Sequence, residues 1–554
     1  MITVARNPIA LLLYLTACVT TSVATSSATR EEGLQTSPAA SHFAKTCSTL
    51  AAVDFSGVED AATQIMGAKL MGPHDGAAAY CLASGYVAPQ VRFKIGLPAS
   101  WNGKFIELGC GGHCGLLAED DEFGTVSFMT CGAPLRRGYA CVVSDMGHKG
   151  TGSDGLWAQG NLQAAVDWGY RATHVVALAG KAIVQSFYQK RATHAYFSGC
   201  STGGRQALQE AQRFPWDFDG IIAGAPPIRL ADVYVTFAWG ERAAHDTNGK
   251  PLLSTQDLKL LTSGALARCD MDDGVQDGVI SDPLRCPFRP SDLECKPGQT
   301  ISCLTAEKAE AAERIYSGPV DEHGRSLFGA GAVPGSEIGG AWNAQYGGNW
   351  GLFYVGKDGA PPGLAPLAQD GLKFLFFSPP QPVAWSIRAF DFDKDYKRLD
   401  VMQSLYDSSN PDLSRFKAAG GRLLIYHGLN DLSILPQWII RYYESVERVM
   451  GGREQTQSFV RLFSLPGVEH CGGGPGADTV DYLTALEDWV ERGKAPERLI
   501  ATHLRKGDWT HSILFPLDPS NVAFTRPAYP YPIRARYSGH GDPNDAGNFV
   551  PVAR

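Results

Sequence analysis

Two cysteines constrain this chain more than anything else in it, because each stands beside a residue able to do chemistry. Cys200 precedes Ser201, and Cys471 follows His470. A disulfide between them would hold their Cα atoms within about 7 Å. Any fold the chain adopts would then bring Ser201 and His470 together. Serine needs such a neighbour, since its hydroxyl is a weak nucleophile until an imidazole takes the proton. Closing a loop of ~270 residues is worth about 5–6 kcal/mol in chain entropy. Its registration matters more, because a misplacement of about 1 Å at a reacting group can cost some hundredfold in rate. Ser201 also lies in Gly199-Cys200-Ser201-Thr202-Gly203. This matches Gly-x-Ser-x-Gly, the sharp strand-to-helix turn that exposes a nucleophile.

The surroundings of that motif predict its fold. Residues 103–108 and 139–145 predict strands, and 161–190 a long helix with apolar residues at helical spacing. A strand at 194–198 runs into the motif, a helix at 204–214 leaves it and stops at Pro215, and 220–224 is the next short strand. This alternation predicts a mostly parallel sheet with helices on both faces. From about Pro226 to Gly420 the alternation stops and Gly, Pro, Cys and aromatics dominate. Strands resume at 422–426 and 459–465, and 479–492 predicts a closing helix. The expected organisation is a signal and tether at 1–42, an α/β core at 43–225 and 421–554, and an inserted domain at 226–420. The tail from Lys494, rich in Pro and Tyr, is expected to wrap the core. With 554 residues, 44% of them hydrophobic, the chain can bury a core of that size. A net charge of -8 and pI ≈ 5.9 carry no polyanion footprint, which argues against nucleic acid as a partner.

The N-terminus predicts export. Arg6 is followed by an apolar run from Ile9 to Leu15, too short to span a bilayer. Leu15-Thr16-Ala17-Cys18 resembles a bacterial lipoprotein box with Cys18 as the lipidated residue, and cleavage at a small-residue site such as Ala24 is the alternative. Either route ends outside the cytoplasm, in the periplasm, the medium or an outer-membrane anchor. Of 13 cysteines, setting Cys18 aside leaves 12, an even number that suits a disulfide framework in an exported chain. Spacing suggests Cys47–Cys81, Cys269–Cys286 and Cys295–Cys303 beside Cys200–Cys471, and leaves the pairing of Cys110, Cys114, Cys131 and Cys141 open.

The remaining parts of a serine hydrolase can be sought by order. The acid should fall between serine and histidine. Asp431 qualifies, in His427-Gly428-Leu429-Asn430-Asp431 just past a predicted strand, with the task of orienting the His470 imidazole. Asp391, Asp393 and Asp395 are rivals inside the insertion. Two backbone amides must meet the oxyanion. The expected donors are Thr202, after the nucleophile, and Gly111 in the loop Gly109-Cys110-Gly111-Gly112, with Gly112 as the second choice. The stretch from Cys269 to Val279 packs acids and glycines at short intervals. Hard oxygen ligands on a tightly turning loop suit a structural Ca²⁺, and a solvated acidic turn is the alternative.

Together these residues resemble the tannase and feruloyl esterase family, whose mark is Cys-Ser…Asp…His-Cys, here Cys200-Ser201, Asp431 and His470-Cys471. The resemblance implies an α/β-hydrolase core with a lid between serine and aspartate. It implies a lid Ca²⁺ held by Asp270, Asp273, Asp277 and the carbonyls of Val275 and Val279, but not by Asp272. It also implies hydrolysis of esters of aromatic acids such as ferulic, caffeic, chlorogenic or gallic. The family includes an enzyme for mono(2-hydroxyethyl) terephthalate. The loop Gly109-Cys110-Gly111-Gly112-His113-Cys114 departs from the family form by its two cysteines, and Leu432 stands where a small residue or proline is expected, while Ile434 and Pro436 match. Trp342, Trp350, Phe353, Tyr354, Phe376, Phe377 and Trp385 either fill the lid or stack a planar acyl group. Arg388 is a candidate for binding a carboxylate, and His427 for lining the pocket beside Asp431. The expected activity is that of an exported serine esterase working through an acyl-enzyme on a small aromatic ester. A non-catalytic, calcium-dependent surface protein on this scaffold and a serine peptidase are the rival readings.

Overall fold

The computed structural model describes residues 38–554 apart from 74–75, 118–123, 126, 383 and 507–516. The predicted export segment, with Cys18 and Ala24, lies outside the described residues.

Nine strands form one sheet: β1 (Thr63–Met71), β2 (Tyr80–Val87), β3 (Val91–Pro98), β4 (Lys104–Leu108), β5 (Ala140–Ser144), β6 (His194–Cys200), β7 (Gly220–Gly224), β8 (Arg422–Gly428) and β9 (Val460–Leu465). Their spatial order is β1-β2-β3-β5-β4-β6-β7-β8-β9. The first three strands and the β3–β5 contact are antiparallel, and every later pairing is parallel. This is the α/β-hydrolase arrangement expected. The antiparallel edge before residue 103 was not anticipated. On β1 exposed and half-buried residues interrupt the apolar pattern, as suits an edge strand.

Strand alternation divides the apolar residues between two cores. Phe105, Val142, Phe197 and Ile425 face one side, where α1 (Ala172–Tyr188) and α2 (Thr202–Arg213) pack. Ile106, Val143, Tyr196 and Leu424 face the other, covered by Leu486 and Trp489 of the closing helix Tyr482–Arg492. The long helix predicted over 161–190 is a series: Leu162–Val166, a π-turn at Asp167–Arg171, then α1.

Among the described residues between β7 and β8 no strand joins the sheet. The chain runs through α3 (Leu230–Ala244), which is buried nearly all round, α4 (Thr255–Cys269) and α5 (Ala306–Ser317). The apolar residues of α3 join the same cluster as Phe105 and Val142. The insertion is therefore packed onto the sheet core rather than closed on itself. The tail forms two antiparallel pairs, Leu499–Leu504 with Val522–Ala528 and Arg534–Tyr537 with Phe549–Val552. Among the described residues no helix is long and apolar enough to cross a membrane.

All four expected disulfides are present, and the open set resolves as Cys110–Cys114 and Cys131–Cys141. Six bridges among twelve cysteines suit an oxidising compartment.

Candidate active site

Four loops leave the sheet at one edge. β4, β6, β8 and β9 run parallel, so the segments after Leu108, Cys200, Gly428 and Leu465 emerge together at their carboxyl ends. Open α/β sheets place their sites there.

Ser201 follows β6 with φ 62 and ψ -125, a conformation rare for a residue with a Cβ. Its amide donates to the Gly224 carbonyl at 3.0 Å, and its carbonyl accepts from Arg205 at 3.0 Å as α2 begins. The two glycines of the motif explain themselves sterically: a Cβ on Gly199 would lie 2.6 Å from the carbonyl of Gly203. The Cys200–Cys471 bridge sets the Cα atoms 5.9 Å apart and so draws the His470 loop onto the serine turn.

His470, half-buried, donates from Nδ1 to Asp431 Oδ2 at 2.8 Å. That bond selects the tautomer whose Nε2 is unprotonated, the state a general base needs. Asp431 is fully buried, and its Oδ1 accepts from the amides of Ser433 at 2.8 Å and Ile434 at 2.9 Å. The rival acids serve elsewhere: Asp391 accepts from the amides of Asp393 and Lys394, and Asp395 pairs with Arg398. His427 is a correction. It sits behind Asp431, 1% exposed, with Nε2 donating to the Ile434 carbonyl at 2.8 Å and lying 3.9 Å from Asp431 Oδ2. Burial lowers its pKa and keeps it neutral, so it backs the acid rather than facing a pocket.

Thr202 opens α2, where helix geometry leaves the first amides without intrahelical partners. Its hydroxyl donates to the Gly112 carbonyl at 2.6 Å, which ties the β4 loop to the serine turn. In that loop the amides of Cys110, His113 and Cys114 are engaged by Gln206, Gly152 and Gly111. Among the described residues those of Gly111 and Gly112 donate to no protein acceptor. Gly111 is the expected second donor and Gly112 its fallback. Gly112, at φ +55, lies so close to Gly152 that a Cβ would meet its carbonyl at 2.3 Å. His113, fully buried, donates from Nδ1 to the Asp154 carbonyl at 3.2 Å and accepts at Nε2 from the Tyr234 hydroxyl of α3 at 2.9 Å. Burial pushes its pKa down to about 4.

The acidic loop turns through Gly274 and Gly278, both with left-handed φ. Asp270 Oδ1 accepts from the amides of Asp277 and Gly278, Asp273 Oδ1 from Val275 and Asp277 Oδ1 from Val279. Asp277 also pairs with Arg526 of the tail at 2.5 Å. Burial, with the charges of Asp277 and Asp270 adding to it, raises Asp273 to about 6. This surplus of negative charge on an all-oxygen donor set fits a hard cation. As they stand the three carboxylates accept from loop amides. The tightest group of ligand atoms among the described residues lies elsewhere: His174, Glu210 and Asp217 come within 4.8 Å of one another under α1 and α2. There His174 Nδ1 bonds directly to Asp217 Oδ2 at 2.5 Å, and burial with the Asp217 charge pushes Glu210 well up.

The insertion aromatics mostly fill core. Trp350, Phe353, Tyr354, Phe376 and Phe377 are buried, and Phe376 packs on Tyr234 and Tyr406. The Trp342 side chain lies outside the described residues. Trp385 meets Phe377 edge-on, and Arg388 is exposed and paired with Glu241 at 2.9 Å. Among the described residues no hydrogen bond, ion pair or ring contact joins either to Ser201, Asp431 or His470.

The description "Tannase and feruloyl esterase" matches residues 77–552. The chain is 32% identical over 527 residues to mono(2-hydroxyethyl) terephthalate hydrolase of Piscinibacter sakaiensis, covering 86% of this chain and 85% of that protein. It is 33% identical over 473 residues to a probable feruloyl esterase of Arthroderma benhamiae, covering 83% and 82%. Among solved structures it is similar to feruloyl esterase B from Aspergillus oryzae, with a TM-score of 0.76 at 25% identity over 92% of this chain and 100% of that one. Tannin acyl hydrolase from Aspergillus niger, at 21% identity and a TM-score of 0.68, shares the fold. A half-buried serine on a strained turn, a histidine on a loop bridged by disulfide to that turn, an acid holding that histidine, and a sequence match over nearly the whole sheet and insertion converge: this chain belongs to the tannase and feruloyl esterase family and is a carboxylic-ester hydrolase.

Proposed function

We propose that the protein is an exported esterase that cleaves esters of planar aromatic acids through an acyl-enzyme on Ser201. The observation that carries this is the Asp431–His470 bond of 2.8 Å on a loop bridged by disulfide to the residue before Ser201. His470 Nε2 takes the Ser201 proton as the hydroxyl attacks the ester carbonyl. The amides of Thr202 and Gly111, with Gly112 beside it, receive the oxyanion, each such donor being worth about 3–4 kcal/mol of barrier. Asp431, anchored by two amides, orients the ring and stabilises the imidazolium. The alcohol leaves with the proton from His470, and water then cleaves the acyl-enzyme by the same route. The substrate class rests on the relatives, whose names specify terephthalate and feruloyl esters, both with flat aromatic acyl groups.

Asp270, Asp273 and Asp277, with the carbonyls of Val275 and Val279, would hold a Ca²⁺ that stiffens the insertion against the tail. Export is supported by the six disulfides and the apolar run before Cys18.

Replacing Ser201 with Ala is expected to abolish p-nitrophenyl ester turnover while moving Tm by less than about 2 °C, since the side chain is half-buried and carries little packing. Turnover retained by this variant would overturn the reading. A panel of methyl ferulate, chlorogenate, methyl gallate, the terephthalate monoester and a peptide then fixes the acyl group. Cleavage of the peptide alone would reassign the protein as a peptidase.

A further inference from the structure

Two buried polar residues stand next to the triad in sequence and reach away from it. Glu469 precedes His470 and Asn430 precedes Asp431, and they are 1% and 2% exposed. Glu469 Oε1 accepts from the amide of Gly340 at 2.6 Å, and Oε2 accepts from Asn343 Nδ2 at 2.6 Å. The approach is close enough that a Cβ on Gly339 would lie 1.9 Å from Glu469 Oε1. Asn430 Nδ2 donates to the Gly335 carbonyl at 2.8 Å, while its own carbonyl accepts from Asn349 Nδ2 at 3.4 Å. Asn343 and Asn349 are themselves buried. The Asn430 amide donates to the Val468 carbonyl at 2.9 Å, joining the acid loop to the base loop. One stretch of the insertion, 335–349, thus holds both loops through buried, partly charge-assisted hydrogen bonds.

Resting on the triad reading above, we propose that Glu469 is a positioning residue: through Gly340 and Asn343 it lets the insertion set where His470 stands. A buried carboxylate with two donors fixes its own backbone, and the next residue along that backbone is the base. Loss of one acceptor leaves a buried donor unmatched, so the loop relaxes and the imidazole moves. Reaction then slows without loss of substrate contacts, a signature that mere destabilisation does not produce.

The test uses the full chain. Glu469→Gln is expected to lower kcat on a p-nitrophenyl aryl ester about tenfold or more, with KM changed less than about twofold. Adding Asn343→Asp reverses donor and acceptor while keeping the buried charge count, and is expected to return kcat to within about threefold of the parent. If Glu469→Gln does not fold, Asn343→Ala alone removes one of the two bonds and is expected to lower kcat with KM held. Unchanged kcat in the folded single variant, or no rescue in the double, would overturn the proposal. Ser201→Ala separates the two readings. If it is inactive while Glu469→Gln is normal, the positioning role alone falls. If it remains active, the triad reading falls with it.

Discussion

At the scale of single residues, burial decides what each histidine does. His470 is half-buried and bonded to Asp431, whereas His113 is sealed between Asp154 and Tyr234 and held neutral. Its folded pKa of about 4 lies below the ordinary 6.5, so the unfolded chain binds the proton first as pH falls. The stability His113 contributes is whole above pH 6.5 and is lost as pH falls from there towards 4. Between pH 7 and 5 that amounts to about 2 kcal/mol. Asp145 and Asp232, raised to about 6 by burial, work the other way, since their contribution is whole below 3.8 and lost as pH rises through 6. The measurement is therefore a difference: thermal melts of His113→Gln should lose less on going from pH 7 to 5 than those of the parent. The serine itself was readable from the chain because its motif is local. His427 was misjudged because nothing in a sequence tells whether a histidine beside an acid faces substrate or core.

At the scale of elements, the helix after the serine is locked by a side chain that no pattern announced. Arg205 of α2 is fully buried and donates to the carbonyls of Gly169 and Trp168, at 2.5 and 2.9 Å, across the Trp168 face. Those carbonyls belong to the π-turn Asp167–Arg171. Arg205→Lys cannot reach both, and is expected to cost about 2–4 kcal/mol in chemical denaturation. The β4 loop shows the same economy. Cys110–Cys114 closes it, Gln206 of α2 donates to Cys110 Sγ at 3.1 Å, and Thr202 holds Gly112. The family departure noted in the sequence is thus a brace inside the loop that offers the second amide. Replacing Cys110 and Cys114 together with serine should lower kcat more than it raises KM, because on the proposed mechanism the brace orders a donor used in the transition state.

At the scale of the whole molecule, the insertion shares a core with the sheet and is tied to the tail by ion pairs. Asp277 meets Arg526, and Asp282 meets both Arg534 and Arg554. A cation at Asp270, Asp273 and Asp277 would stiffen that junction. EDTA is expected to lower Tm by several degrees, with recovery on adding Ca²⁺, because a ligand bound only to the folded state stabilises it by mass action. An unchanged melt would remove the metal from the account.

Much of the parallel sheet was legible because its strands are short apolar runs between turn signals, and β7 fell where 220–224 predicted it. Four of six bridges were legible for a related reason: cysteine spacing is a property of a line. The antiparallel edge, the two remaining bridges, the π-turn, the Arg205 anchor and the grip of 335–349 on both loops were not. Each depends on which distant groups come within about 3 Å once the cores close, and hydrogen bonds of that kind have no periodicity to read. Sequence alone determined the class of chemistry, through a serine turn and a histidine each beside a cysteine. Tertiary structure decided how that chemistry is aimed, since aim is a matter of tenths of an ångström set by buried contacts between segments more than a hundred residues apart.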